Sequence, residues 1–154
     1  MITAVQIDDE VNALEFLRAR LNEVASEVNV LGVANNINDA EALIAEKKPQ
    51  LVFLDVEMPG GTGFELLKRL GRWDFDVIFT TGHSRYAIQA IRFSALDYLL
   101  KPVQADELRA AIDRHIANRN SAIPEVQQHF LNNIEQQEEN ALKLTLTHGD
   151  RTHA

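Results

Sequence analysis

Five apolar runs, each the length of one strand, alternate with amphipathic stretches over the first 119 residues, and that alternation leaves few folds open. The runs are Ala4-Val5-Gln6-Ile7, residues 28–33, Leu51-Val52-Phe53-Leu54, Val77-Ile78-Phe79-Thr80 and residues 95–100. They are rich in β-branched and aromatic side chains and are bounded by polar segments, as buried strands are. The stretches between them keep helical spacing. Leu14, Leu17, Leu21 and Val24 share one face, as do Phe64, Leu67 and Leu70, and Leu108, Ala111, Ile112 and Ile116. Asn38-Asp39-Ala40-Glu41 reads as a helix start with Asn38 as its N-cap. Strands alternating with helices build a parallel sheet covered on both faces, and right-handed crossovers then leave few topologies. The pattern predicts an α/β protein with a flavodoxin-like, doubly wound, five-stranded parallel sheet followed by a linker.

From residue 120 the character changes. Residues 120–140 are polar and rich in amides, with Pro124 placed to open a helix and Val126, Phe130 and Ile134 recurring every four residues. They read as a linker with helical tendency. Leu142-Lys143-Leu144-Thr145-Leu146-Thr147 alternates like a half-buried strand. A lone strand is unstable, so residues 141–154 are expected to begin a second domain.

Composition excludes several chemistries. With no cysteine there is no disulfide, no thiolate zinc site and no cysteine nucleophile. No apolar run approaches the ~20 residues of a membrane span, and the N-terminus lacks a signal-peptide pattern, so a cytoplasmic location is expected. The net charge of −8 suits cation binding and argues against a nucleic-acid surface on this chain.

In an open α/β sheet, ligands bind outside the carboxyl ends of the strands. The first run is followed by Asp8-Asp9-Glu10, the third by Asp55 and Glu57, the fourth by Thr81-Gly82, and the last by Lys101-Pro102. Three carboxylates side by side repel unless a cation sits among them, and an all-oxygen donor set favours a hard ion such as Mg²⁺. The lysine and the threonine hydroxyl add partners for an anion, which points to phosphoryl transfer. No GxxxxGK[ST] or GxGxxG phosphate loop is present, so the acceptor is sought on the protein itself, and Asp55 is the candidate.

These residues carry a resemblance. Asp8-Asp9, the segment Asp55-Val56-Glu57-Met58-Pro59-Gly60-Gly61-Thr62-Gly63, Thr81-Gly82 and Tyr98-Leu99-Leu100-Lys101-Pro102 resemble the receiver domain of a two-component response regulator. The runs Thr80-Thr81-Gly82-His83-Ser84-Arg85-Tyr86-Ala87 and residues 95–103 are similar to its LytTR (LytR/AlgR) branch. The resemblance covers residues 1–119. It implies a CheY-like sheet of strand order 2-1-3-4-5, with residues 141–154 opening a LytTR-type DNA-binding domain after the linker. It implies Asp55 as phosphoacceptor and Mg²⁺ (or Mn²⁺) held by Asp8, Asp9, Asp55 and the Glu57 backbone carbonyl. Lys101 and Thr81 would stabilise the phosphoryl group, Thr81 and Tyr98 would form the switch, and the peptide before Pro102 would be cis. The implied partner is a sensor histidine kinase, with DNA engaged only through the following domain and no membrane contact.

Other readings stand beside this one. Taken alone, Tyr98 reads as a core aromatic, Trp73 as a loop anchor, and the five histidines as exposed loop residues. Gly60, Gly61 and Gly63 read as serving the turn. An aspartyl-phosphate-forming hydrolase would use the same carboxylates with Glu57 as the acid, although 119 residues leave no cap to enclose a substrate. A phosphorylation-independent protein-binding module is the third reading. The expectation is a signalling phosphoacceptor, not a metabolic enzyme. Residues 84–93 read as one helix whose apolar arc spans about 220°, wider than the ~100° stripe one sheet face needs. Either apolar surface is left over near Ile88 at one margin or Phe93 at the other, or the helix sinks deeper than usual between its neighbours. The resemblance implies that this face is remodelled on phosphorylation, and a homodimer face at Ile88, Arg92 and Phe93, used on phosphorylation, is expected with it.

Overall fold

The computed structural model describes residues 1–121. Their elements are β1 (Ile2–Ile7), α1 (Val11–Val24), β2 (Val28–Ala34), α2 (Ile37–Lys47), β3 (Leu51–Leu54), α3 (Gly63–Leu70), β4 (Asp76–Thr81), a 3₁₀ turn (Ser84–Tyr86), α4 (Ala87–Arg92), β5 (Asp97–Leu100) and α5 (Ala105–Asn120). The sheet order is β2-β1-β3-β4-β5, every pairing is parallel, and the doubly wound expectation holds. The expected linker helix and the strand at 142–147 lie outside the described residues.

The apolar runs are continuous rather than alternating because both sheet faces are covered. Val5, Ile7, Val52, Leu54, Val77 and Phe79 enter one core, under α2, α3 and α4. Ala4, Leu51, Phe53 and Ile78 enter the other, with α1 and α5. Phe53 is 1% exposed, and burying such a ring contributes about 2–3 kcal/mol. Strand pairing also fixes the edge that matters: Ile7 is registered against Leu54, and Thr81 against Leu100. The register thus brings Asp8 and Asp55 side by side after neighbouring strands, and Lys101, two strands from Asp55, reaches them from the same edge of the sheet.

Local chemistry sets the helix ends. Asn36, not Asn38, is the N-cap of α2, its side chain accepting from Asp39 N, while Asn38 accepts a hydrogen bond from Arg69 on α3. Each asparagine has an acidic residue three positions on, Asp39 or Glu41, and two-residue spacing is too fine for a sequence pattern to resolve. Thr62 and Glu65 form a reciprocal capping box on α3. Gly63 starts that helix where a Cβ would lie 2.4 Å from the Asp55 carbonyl oxygen, so only glycine lets α3 approach the site this closely. The helix expected at 84–93 is a 3₁₀ turn plus six α-helical residues.

Candidate functional site

Strand ends assemble the site as the sequence predicts. Asp8 and Asp55 are buried and Asp9 is exposed, and an oxygen from each lies within 4.8 Å of the other two. Backbone bonds hold the frame: Asp8 N donates to Ala34 O at 3.0 Å and Asp55 N to Ile7 O at 2.9 Å. Asp55 Oδ1 accepts from Val56 N at 2.8 Å, which leaves Oδ2 facing Lys101. Asp8 Oδ1 accepts from Glu10 N.

Lys101 is the cation of this edge. Its Nζ lies 2.8 Å from Asp8 Oδ2, 3.1 Å from Glu10 Oε1 and 3.4 Å from Asp55 Oδ2. Burial works against its charge, yet the bonds to Asp8 and Glu10 and the field of Asp55 outweigh burial and raise its pKa. Asp55 shows the opposite balance. Burial, then the neighbouring Asp8, push its pKa up to about 6, and Lys101 and the Val56 amide offset only part of that. One ammonium shared by two buried carboxylates leaves the cluster short of positive charge. All donors are oxygens, one carboxylate faces solvent, and the set fits a hard divalent ion. The Lys101-Pro102 peptide is cis.

Thr81 is fully buried, and its Oγ1 accepts from His83 N at 3.3 Å. The Tyr98 hydroxyl, half-buried against Phe79, donates to the carbonyl oxygen of the same His83. Burial raises the Tyr98 pKa and keeps that hydroxyl protonated. Thr81 and Tyr98 therefore grip the two ends of one residue in the loop after β4.

Some contacts were not legible in the sequence. The Glu57 side chain accepts from the Tyr86 hydroxyl, meets Arg85 Nη2 at 2.7 Å and meets His83 Nε2 at 3.0 Å. The Tyr86 bond leads the causes that lower the Glu57 pKa. Glu10 joining Lys101 was likewise unmarked. Among the histidines, His115 is a correction: it is 1% exposed on α5, with Nδ1 2.7 Å from Asp76 Oδ2. Its carboxylate partner lies 39 residues earlier, where no local spacing signals it. On the expected partner face, Ile88 is exposed, as are Ile91 and Leu100. Phe93 is half-buried, its ring 5.2 Å from that of Phe64.

Comparison with known proteins agrees with this geometry. A family model described as the response regulator receiver domain matches residues 4–113. An uncharacterized response regulatory protein of Vibrio vulnificus is 45% identical over 118 residues, which is 74% of this chain and 47% of that one. The sensory transduction protein LytT of Bacillus subtilis is 32% identical, over 75% of this chain and 48% of that protein. The chain thus spans about half the length of the curated relatives it matches. Among solved structures, the signal receiver domain of a modulated diguanylate cyclase from Desulfovibrio desulfuricans aligns with a TM-score of 0.68 at 27% identity. That alignment covers 78% of this chain and 97% of the other.

Proposed function

The chain belongs to the response regulator receiver family, and from that premise we propose that Asp55 accepts a phosphoryl group from the phosphohistidine of a sensor kinase. The observation that carries the reading is the pair of buried carboxylates sharing one ammonium, with the Asp55 pKa raised to about 6. Such a group is a carboxylate at neutral pH, reactive yet poorly solvated. An Asp55 Oδ atom forms the bond to phosphorus as the P–N bond of the donor breaks, and the electron pair stays on the imidazole nitrogen, which takes up a proton.

Asp8, Asp9, Asp55 and the Glu57 backbone carbonyl would hold Mg²⁺ (or Mn²⁺), which when bound neutralises charge on the phosphoryl oxygens. Lys101 pairs with an oxygen of the transferred group, and its three present carboxylate contacts keep the ammonium at the required place. Thr81 donates its hydroxyl proton to another oxygen. Drawing Thr81 toward the phosphoryl group loosens its bond to His83 N, and Tyr98 follows through the His83 carbonyl. That linkage carries the signal to the face bearing Ile88, Arg92 and Phe93, which pairs two copies, and to an output domain after residue 140 that engages DNA. The hydrolase reading is less favoured at Glu57: a general acid needs a raised pKa, whereas the bond from Tyr86, with His83 and Arg85, lowers this one.

Incubation with acetyl phosphate tests the proposal. A slower-migrating phosphoprotein band should form with Mg²⁺ and not with EDTA. Steady release of inorganic phosphate without any accumulated band would instead favour the hydrolase.

A further inference from the structure

The amino end of the sheet carries a cluster that phosphoryl transfer does not use. A cleft of about 290 Å³ opens there, lined by Lys48, Arg72 and Arg119 with Pro49, Trp73 and Phe75. Lys48 follows α2, Arg72 follows α3, and Arg119 lies in the last turn of α5. All three are exposed. Among the described residues none of them makes a side-chain hydrogen bond or ion pair, unlike Arg20, Arg69, Arg85, Lys101, Arg109 and Arg114; Arg18 and Lys68 share that lack, but neither lines the cleft. Helix dipoles account for a cation at each helix end. They do not account for three cations lining one cleft, against the single carboxylate of Asp74, in a chain of net charge −8. Like charges gathered this way call for an anion.

We propose that this cleft docks the chain's own acidic segment at residues 135–139, through Glu135, Glu138 and Glu139. Charge complementarity selects it: three carboxylates within five residues meet three cations. Attachment selects it as well. α5 ends at Asn120, next to Arg119, so the segment begins only fourteen residues past Ser121, a stretch that reaches ~48 Å extended and ~21 Å as a helix. A tether of that kind gives an effective concentration on the order of millimolar, which a free anion would have to exceed. Nucleic acid is a poor rival at this net charge. Docking would fix where the chain leaves the receiver, at the end of the sheet opposite Asp55.

The absence of cysteine makes the test direct. A nitroxide attached at Asn140→Cys in the 154-residue chain should broaden the amide resonances of Lys48, Arg72 and Trp73, and spare those of Asp9 and Lys101. At 1 M NaCl the enhancement should fall by about five-fold, because the Debye length shrinks to ~3 Å. The triple variant Glu135→Gln, Glu138→Gln, Glu139→Gln should show the same loss at low salt. Reversing the three cations to Glu should also abolish the broadening, and reversing the three glutamates to Lys in that background should restore it. Broadening that is uniform over the surface, insensitive to salt, or unchanged in the triple Gln variant would overturn the proposal. So would saturable quenching of Trp73, the sole tryptophan, by sodium pyrophosphate without any docking of the segment, which would assign the cleft to a separate anion.

Discussion

The two ends of the sheet treat buried charge in opposite ways. At the carboxyl end, Asp8 and Asp55 share Lys101, and Asp55 remains poorly compensated, with its pKa raised to about 6. At the amino end, Asp76 is bonded by His115 at 2.7 Å and by Asn118 at 3.1 Å, and Gln50 and Thr3 exchange bonds between neighbouring segments. The groups proposed to react are crowded and under-paired, whereas Asp76, which ties β4 to α5, has both carboxylate oxygens bonded.

Substitutions in the two clusters should therefore diverge. Lys101→Met is expected to have the largest effect, destabilising the metal-free protein by about 3 kcal/mol at pH 7, since it leaves two buried carboxylates without their cation. Much of that loss should return in urea melts at pH 5, because Asp55 takes up a proton as pH falls through about 6. His115→Ala comes next, at about 2 kcal/mol, from the cavity and the half-abandoned Asp76. Phosphorylation of the folded fraction should not change. A slowed phosphorylation in that variant would erase the contrast between the two ends.

Asp55→Asn should stabilise the protein in EDTA, by about 1–2 kcal/mol at pH 7. Above pH 6 the native carboxyl is ionised in the folded and unfolded chains alike, and its burial weighs against the fold. Below about 3.8 it is protonated in both, so the advantage of Asn should vanish there. A gain that is independent of pH would place its origin elsewhere. The smallest effect on stability belongs to Ile88→Asp, within ~0.5 kcal/mol because the side chain is 40% exposed. The same variant should abolish the phosphorylation-dependent dimer in sedimentation while leaving phosphoryl uptake intact.

Much of this was legible in the sequence, for physical reasons. Strands buried on both faces read as continuous apolar runs, and a parallel sheet puts the residue after each run on one edge, so Asp8, Asp55, Thr81 and Lys101 could be grouped without coordinates. The N-cap of α2 was two residues off, because Asn36 and Asn38 offer the same chemistry. The α4 segment was harder: the helical wheel leaves apolar surface at Ile88 or at Phe93, and only packing shows that Phe93 stacks on Phe64. Contacts such as Glu57 with Tyr86 and Asp76 with His115 join residues 29 and 39 apart through side-chain direction, which no periodicity records.

Asp55 is proposed to become an acyl phosphate. Borohydride reduction of protein treated with acetyl phosphate and Mg²⁺, followed by peptide mass spectrometry, reads this directly, because it converts an aspartyl phosphate to homoserine. Homoserine is expected at position 55 and at no other aspartate. Conversion at Asp8 or Asp9 with Asp55 unmodified, or no conversion despite phosphoryl uptake, would contradict it.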